Sequence, residues 1–121
     1  MMIPTDFHQA KEDRHKKVLV VDMDETLIYC QTDKPETWDI QIDIEEGLIG
    51  YVTIRPYALS FLKKMSQFFE IMVFTASEQS YADAVLDELD PNGWIKHRLY
   101  RQHCVRIEKN FYTKDLTVIN R

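Results

Sequence analysis

A short run of aliphatic residues, VLVV at positions 18–21, leads directly into the acidic segment DMDETL at positions 22–27. An aliphatic run of this length is typical of a buried strand in a parallel sheet. Ligands of open α/β sheets bind just beyond the carboxyl ends of such strands, so Asp22 and Asp24 are expected to face one site. Two neighbouring carboxylates repel each other and need a cation, a proton or a phosphate-bound metal. The segment therefore predicts an aspartate nucleophile with a neighbouring acid/base and Mg2+.

The acidic segment also resembles a solvated turn and the start of an EF-hand loop. A DxD pair is also common in solvated turns, and the pair alone leaves that alternative open. An EF-hand loop would begin in a similar way, but Leu27 stands where that loop needs glycine and Asp33 where it needs a bidentate glutamate. EF-hand loops also follow helices, whereas a strand is predicted here, so we exclude a calcium loop.

The composition is that of one small globular domain. The chain has 121 residues, 45% of them hydrophobic and 29% charged. No apolar segment is long enough to span a membrane and no signal peptide precedes the first strand, so no membrane partner is expected. Cys30 and Cys104 are too few for a disulfide scaffold, which predicts reduced thiols and an intracellular protein.

The net charge of −5 is unevenly distributed along the chain. From Trp94 onward basic residues outnumber acidic ones, which suggests an anionic ligand near this third of the chain. A solvated charged face explains the charge pattern equally well.

Hydrophobic periodicity predicts the α/β class. We expect a flexible N-terminal arm at 1–16 and one domain at 17–121. Buried strands are predicted at 17–21 and 69–74, and the alternating segments 38–44 and 49–54 predict an antiparallel hairpin inserted at 38–54. Short strands are expected near 99–100 and 111–112. Strands that alternate with helices through short connections indicate a parallel sheet.

Two helices are predicted between these strands. The first is expected to begin at Arg55-Pro56-Tyr57, with proline at an early helical position. Its predicted apolar face consists of Leu59, Phe61, Leu62, Met65 and Phe68. The second is expected to open with a T-x-x-E capping box, Thr75 to Glu78, and to run to about Leu89.

Four residues combine into a candidate phosphoryl-transfer site. Asp22 and Asp24 end one predicted strand, Thr75 ends the next, and Lys114 lies in the basic third. Such a site needs a nucleophile, a hydroxyl or amide donor for the phosphate, and a cation. Each residue also has an ordinary structural explanation, Thr75 as a helix cap and Lys114 as a surface lysine. Their combination in this order favours the catalytic interpretation.

The motifs VVDMDETL, Arg55-Pro56, VFTAS, Tyr81-Ala-Asp83, Arg101-x-x-Cys104-Val105 and Lys114-Asp115-Leu116 resemble those of the NLI-interacting-factor-like, or small CTD, phosphatases. This family is part of the haloacid dehalogenase (HAD) superfamily, and the resemblance runs from about residue 17 to the end. It implies an α/β fold with a HAD-like Rossmannoid parallel sheet and an inserted antiparallel hairpin. It also implies a nuclear protein serine/threonine phosphatase that acts on phosphoserine or phosphothreonine, with the RNA polymerase II C-terminal domain as a candidate substrate. No direct nucleic-acid contact is expected.

The resemblance also assigns roles to the candidate residues. Asp22 is expected to be the nucleophile that forms an aspartyl-phosphate, and Asp24 the acid/base. The Asp22 carboxylate and the Asp24 main-chain carbonyl are expected to bind Mg2+. Thr75 is expected to hold a phosphate oxygen, and Lys114 to neutralise the phosphate.

Substrate binding is assigned to a second group of residues. Arg101 is expected to contact the substrate peptide. Ile42, Ile44 and Tyr81 match parts of the family's small hydrophobic pocket, which takes a proline of the substrate repeat. Glu78 and Thr32 replace an apolar and an aromatic residue of that pocket, so the preference for that repeat is left open.

The end of the sequence departs from the family pattern. Family members continue into a strand that ends in Asp-Asn or Asp-Asp and supplies a third metal-binding carboxylate, whereas this sequence stops at Arg121. We therefore expect the C-terminal part of the domain to be missing. An uncovered first strand predicts a dimer or domain swap. Under the alternative hypothesis, the chain is a catalytically impaired fragment that binds phosphopeptides or proteins.

A cysteine phosphatase is a rival enzyme class, because His103-Cys104 is its opening dipeptide. Its phosphate loop needs an arginine six residues after the cysteine, where this sequence has Asn110. We reject this class and expect Cys104 to be a small core residue.

Overall fold

The computed structural model describes residues 9–119, which form two small sheets, two helices and a terminal hairpin. The strands and helices in chain order are β1 (Lys17–Val21), β2 (Ile28–Gln31), β3 (Ile40–Glu45), β4 (Leu48–Ile54), α1 (Ala58–Met65), β5 (Phe69–Phe74), α2 (Gln79–Leu89), β6 (Ile95–Leu99), β7 (Val105–Glu108) and β8 (Phe111–Thr113).

The central sheet is parallel and has the order β1-β5-β6. Strands β1 and β5 carry apolar residues on both faces, as their aliphatic runs predict. Ile71 and Val73 of β5 point into the main core, whereas Met72 and Phe74 point into a smaller cluster on the opposite face. The predicted α/β architecture and the bounds of its first two strands are confirmed.

The inserted sheet has three strands in the antiparallel order β2-β4-β3. The predicted hairpin of β3 and β4 is confirmed, but the insertion is larger than the hairpin alone. Strand β2 was not predicted, because IYCQ is only four residues long and follows the acidic segment without a separate turn signal. It pairs with β4 from Ile28 opposite Ile54 to Gln31 opposite Tyr51.

The start of α1 differs from the prediction. Pro56 lies in a turn before the helix, in which the Ala58 main-chain N–H donates to the Arg55 carbonyl at 3.0 Å. Tyr57 follows with φ 70° and ψ 2°, the left-handed conformation of the third residue of a type II turn. Pro56 is therefore the second residue of a β-turn and is not part of the first turn of the helix.

The apolar face predicted for α1 is only partly buried. Ala58 and Leu62 are buried and Met65 packs against the main core. Leu59, Phe61 and Phe68 remain 40%, 42% and 59% exposed. An eight-residue helix presents one narrow stripe to the sheet, and Leu59 and Phe61 lie outside that stripe, whereas Phe68 lies beyond the end of the helix at Met65.

Helix α2 ends at Leu89 as predicted, but the capping box is not formed. The structure places Glu78 at the N-cap without a side-chain hydrogen bond to the helix. The Thr75 hydroxyl is used elsewhere, because it accepts the Ser77 main-chain N–H at 3.1 Å and donates to Asp24. At the other end the Asp90 carboxylate accepts the main-chain N–H groups of Trp94 and Ile95, both at 2.9 Å, and so joins α2 to β6.

The C-terminal segment contains the antiparallel hairpin of β7 and β8. The strand predicted near 111–112 corresponds to β8. The strand predicted near 99–100 is longer and corresponds to β6, which ends at Leu99, while β7 was not predicted. Cys104 is partly buried and packs against the smaller core cluster, in line with its predicted structural role.

The predicted N-terminal arm lies partly outside the described residues, at 1–8. Residues 11–13 form one turn of 3-10 helix, and Asp13 is buried beside Lys16, whose Nζ donates to the Ser66 carbonyl at 2.9 Å. Within residues 9–119, no helix is long and apolar enough to cross a membrane.

Candidate active site

The parallel pairing of β1 and β5 brings the predicted catalytic residues together. Val21 is in register with Val73, so Asp22 follows one strand end beside the end of its neighbour, where Thr75 follows Phe74. Carboxyl ends of adjacent parallel strands share one edge of the sheet, which is where α/β proteins bind their ligands. The candidate site therefore forms from segments about fifty residues apart in sequence.

A tight loop after β1 sets the positions of the two aspartates. The carbonyl of the fully buried Met23 accepts main-chain N–H groups from Thr26, Leu27 and Ile28, at 2.9–3.3 Å. Glu25 has φ 63°, a left-handed conformation that a non-glycine residue adopts at a cost. The loop buries Met23 and turns its neighbours, Asp22 and Asp24, toward the same edge.

Asp22 is paired with a cation and remains accessible. Lys114 Nζ donates to Asp22 Oδ1 at 2.5 Å, and Thr26 Oγ1 lies 3.4 Å from Oδ2. The side chains of Asp22 and Lys114 are 46% and 31% exposed. A solvent-accessible carboxylate beside an ammonium group is suited to attack an anionic phosphate whose charge the lysine neutralises.

Asp24 has different surroundings, because three hydroxyl groups donate to its carboxylate. Ser77 Oγ lies 2.9 Å and Thr75 Oγ1 3.2 Å from Asp24 Oδ2, while the Tyr81 hydroxyl lies 3.1 Å from Oδ1. Thr75 is only 1% exposed. The hydroxyl proton of Thr75 is engaged by Asp24, so its expected contact with a phosphate oxygen stays a prediction.

Tyr81 is held in its protonated form at this position. Burial and the charge of Asp24 raise the pKa of Tyr81 well above its ordinary value. The phenol is therefore a stable hydrogen-bond donor at neutral pH, and it joins helix α2 to the end of β1.

A cleft of about 690 Å³ opens beside Asp24, between the inserted sheet and the start of α2. Its lining is Asp24, Tyr29, Cys30, Gln31, Thr32, Asp33, Ile44, Ser77 and Tyr81. Ile44 is 37% exposed and lines the cleft, whereas Ile42 is 8% exposed and belongs to the main core. Polar groups thus surround Ile44 and Tyr81 in the region where the sequence predicts a hydrophobic pocket.

Gly50 of the middle strand β4 permits this arrangement. A Cβ atom at Gly50 would lie 2.8 Å from Ile44 Cδ1 and 3.0 Å from Cys30 Sγ. Both distances are too short for a side chain, so glycine allows Ile44 and Cys30 to approach each other across β4.

Arg101 is bound to the loop that precedes α2. Its Nε donates to the Ala76 carbonyl at 2.8 Å, and one terminal nitrogen lies 3.4 Å from a carboxylate oxygen of Glu78. The guanidinium also stacks over the Tyr112 ring, 4.9 Å from its centroid. Arg101 therefore ties the β7–β8 hairpin to the catalytic loops, and its side chain keeps 40% exposure toward the adjacent cavity.

Comparisons with known proteins identify the family of this chain. Residues 17–121 match the model of the family described as NLI interacting factor-like phosphatase. The chain belongs to this family.

Two relatives and one solved structure illustrate the similarity. The chain is 41% identical over 115 residues to CTD small phosphatase-like protein 2 of Dictyostelium discoideum, covering 92% of this chain and 20% of that protein. It is 40% identical over 115 residues to the human carboxy-terminal domain RNA polymerase II polypeptide A small phosphatase 2, covering 93% and 42%. The chain thus spans less than half the length of these relatives.

The fold is also similar to a solved structure of the fission yeast RNA polymerase II CTD phosphatase Fcp1 bound to beryllium fluoride. The TM-score is 0.62 at 22% identity, over 76% of this chain and 31% of that one. This likeness supports the HAD-like α/β fold predicted from the sequence.

The oxygen atoms at the end of β1 suit the Mg2+ that the family resemblance implies. The exposed Asp22 carboxylate and the Asp24 main-chain carbonyl are hard oxygen ligands, and Mg2+ commonly completes its shell with water and substrate phosphate. Among residues 9–119, no three His, Cys, Asp or Glu side chains are grouped to hold a metal ion. The Asp22 carboxylate and the Asp24 main-chain carbonyl are the two protein oxygen atoms that would hold the ion.

Sequence reasoning missed Ser77 as a site residue and assigned Tyr81 to substrate binding alone. Both donate to Asp24 in this NLI interacting factor-like phosphatase domain. The VFTAS motif contains Ser77, but a serine near a helix start is ordinarily interpreted as a cap. Only the pairing of β1 with β5 shows that its hydroxyl faces a carboxylate 53 residues away.

Proposed function

We propose that this chain is a Mg2+-dependent protein serine/threonine phosphatase domain that acts through an aspartyl-phosphate. The observation that carries the proposal is the unequal environment of two carboxylates two residues apart. Asp22 is exposed beside Lys114, as a nucleophile requires, whereas Asp24 is enclosed by hydroxyl groups. The motif order in the family supports the same roles.

In the first step the Asp22 carboxylate attacks phosphorus and the bond to the serine or threonine oxygen breaks. The leaving oxygen takes its bonding electron pair and a proton from Asp24. Lys114 lies where it neutralises charge on the transferring phosphoryl group. Bound Mg2+ would supply further charge neutralisation at the phosphate.

In the second step a water molecule attacks the phosphorus of the aspartyl-phosphate. Asp24 now accepts the proton of that water, the bond between Asp22 and phosphorus breaks, and phosphate leaves. Both aspartates return to their starting states, so the proton given in the first step is regained in the second.

We further propose phosphoserine or phosphothreonine in a protein as the substrate class, and the nucleus as the location. The name of the human relative refers to the carboxy-terminal domain of an RNA polymerase II polypeptide and that of the Dictyostelium relative to a CTD, and these names support both proposals. In this chain, however, Gln31, Thr32 and Asp33 line the cleft beside Asp24. These polar side chains favour a phosphopeptide whose flanking residue is polar rather than proline.

The test is turnover of p-nitrophenyl phosphate by the purified chain with Mg2+ and with excess chelator. We expect turnover only with the metal, and none from Asp22→Asn, because an amide cannot attack phosphorus. Asp43→Asn, at an exposed position of β3, is the matched control and should keep full activity. Chelator-resistant turnover, or substantial activity of Asp22→Asn, would remove this mechanism.

A further inference from the structure

We propose that Ser77 and Tyr81 are positioning residues that decide which carboxylate oxygen of Asp24 exchanges the proton during catalysis. In this inference, which rests on the proposed phosphatase function, Ser77 holds Oδ2 as a hydrogen-bond acceptor. Tyr81 holds Oδ1 at the cleft as the oxygen that carries the proton.

The two oxygens of Asp24 have unequal partners. Oδ2 lies 2.9 Å from Ser77 Oγ and 3.2 Å from Thr75 Oγ1, whereas Oδ1 accepts a hydrogen bond from the Tyr81 hydroxyl at 3.1 Å. A carboxylate oxygen has about two lone pairs, so two donors fill Oδ2. Among residues 9–119 no second side chain donates to Oδ1, so one lone pair of this oxygen is left for a proton.

The backbone favours one direction for the Thr75 hydrogen bond. The Ser77 main-chain N–H donates to Thr75 Oγ1 at 3.1 Å, so the Thr75 oxygen already accepts and its own proton points to Asp24. A proton on Oδ2 would meet the hydroxyl proton of Thr75 and would require the Ser77 hydroxyl to turn from donor to acceptor. Placing the catalytic proton on Oδ1 avoids that conflict.

Tyr81 completes the arrangement from helix α2. Its hydroxyl donates to Oδ1 in the ionised state of Asp24 and can keep that bond, through the second lone pair, when Oδ1 carries a proton. Asp24, Ser77 and Tyr81 all line the cleft, so the Asp24 carboxylate lies on the side from which substrate arrives.

Proton transfer then follows a defined path. The Oδ1–H bond breaks as the bond between phosphorus and the leaving oxygen breaks, and that oxygen takes the proton. Oδ1 later accepts a proton from the attacking water. If Asp24 rotated to present Oδ2 instead, it would lose the hydrogen bonds of Oδ2 to Thr75 and Ser77. These two hydroxyl groups therefore keep the proton on Oδ1.

This inference predicts that the loss of kcat/KM in the Ser77 and Tyr81 variants depends on the leaving group of the substrate. A basic leaving oxygen needs the proton from Asp24 far more than p-nitrophenolate does. We would measure kcat/KM for p-nitrophenyl phosphate and for phenyl phosphate, two substrates of similar size that lack a peptide. In Tyr81→Phe and Ser77→Ala, kcat/KM should fall roughly tenfold more for phenyl phosphate than for p-nitrophenyl phosphate. This factor is about the contribution of one hydrogen bond to a charged group.

The matched controls are Tyr51→Phe and Ser60→Ala, which remove one hydroxyl each outside the site and should leave the ratio of the two kcat/KM values unchanged. In an Asp24→Asn background, Tyr81→Phe should have no further effect on that ratio, because the two residues act as a unit. This double variant separates positioning of Asp24 from a change in folding.

Equal losses with both substrates, or a Tyr81→Phe effect that persists without Asp24, would overturn the inference. If Tyr81 only contacts the substrate, Tyr81→Phe should raise KM for a phosphopeptide and leave the ratio of the two kcat/KM values for the small substrates unchanged. That result would also contradict the inference. Absence of Mg2+-dependent turnover in the unsubstituted chain would instead remove the phosphatase function, and the inference with it.

Discussion

Asp22 and Asp24 show how two identical side chains acquire different chemistry within one loop. Asp22 is open to solvent and contacts the ammonium group of Lys114. Asp24 is enclosed by hydroxyl groups from the loop after β5 and from α2. The difference arises because the buried Met23 lies between them and fixes the loop to the core.

Lys114 is the residue whose loss we expect to affect phosphate handling most directly. Lys114→Met keeps most of the length of the side chain but removes the cation beside Asp22, so kcat/KM for p-nitrophenyl phosphate should fall by roughly 10²–10³, as when one transition-state donor is removed. Lys114→Arg should recover part of this loss. The control is Lys109→Met, near the tip of the β7–β8 hairpin, and an equal loss in both methionine variants would contradict the assignment.

At the scale of elements, α1 depends on an unusual entry. The turn from Arg55 to Ala58 places Tyr57 in a left-handed conformation although 86% of this residue is exposed. An exposed side chain gains little from packing that could offset the backbone cost. The entry to α1 is therefore a local weakness of the fold.

Tyr57→Gly should stabilise the domain, by up to about 1 kcal/mol in the free energy of unfolding, because glycine adopts positive φ without a steric penalty. Tyr57→Ala removes the same ring but keeps a Cβ atom, so it should not be stabilising. The measurement is urea unfolding followed by circular dichroism. If Tyr57→Gly is no more stable than Tyr57→Ala, the positive φ at this position has no free-energy cost and the prediction is wrong.

At the scale of the whole molecule, a polar network joins α2 to the edge of the parallel sheet. One Arg98 nitrogen lies 2.9 Å from both Asp83 and Asp87, and the Tyr100 hydroxyl donates to Asp83 at 2.6 Å. Burial opposes ionisation of Asp83, but the hydrogen bonds from Tyr100 and Arg98 outweigh it and lower the pKa of this carboxyl. Burial and Asp83 raise the pKa of Tyr100 to about 12, so that the phenol stays protonated.

The lowered pKa of Asp83 predicts a pH-dependent contribution to stability. Because the folded-state pKa lies below the ordinary value of 3.8, the contribution is complete above pH 3.8 and is lost as pH falls through the folded-state pKa. Urea unfolding from pH 6 to pH 2.5 should show Asp83→Asn less stable than the unsubstituted chain at pH 6, with a smaller difference at pH 2.5. Asp43→Asn serves as the exposed control, and a difference for Asp83→Asn that is constant with pH would contradict this prediction.

Strand β1 is at the edge of the parallel sheet among the described strands, where it pairs with β5 alone. An unpaired strand edge is a template for association, so we expect self-association through β1. Light scattering over a concentration series should give a mass above the 14.4 kDa of one chain. Phe111→Ser, on the exposed surface of β8, should leave that mass unchanged, and a constant monomer mass for the unsubstituted chain would contradict the prediction.

Some strands could be predicted from the sequence and others could not, because the length and regularity of their hydrophobic patterns differ. The aliphatic runs of β1 and β5 and the alternation in β3 and β4 are strong local patterns, and the structure confirms all four strands. Strands β2 and β7 have only four residues each and were missed, because too few alternations fit in that length. Pro56 was placed in the helix, since the same residue suits a first helical turn and the second position of a β-turn.

The sequence by itself determined the fold class and the order in which the motifs meet the sheet edge. The aliphatic runs before DMDETL and FTAS form strands β1 and β5. Because these strands pair in parallel, the two motifs that follow them lie side by side at one edge of the sheet. Only the tertiary structure decided that Ser77 and Tyr81 face Asp24, and that Ile42 lies in the core while Ile44 lines the cleft. Backbone periodicity specifies which face a residue occupies, but hydrogen bonds across more than fifty residues depend on the packing of α2 against the strand ends, which no local pattern encodes.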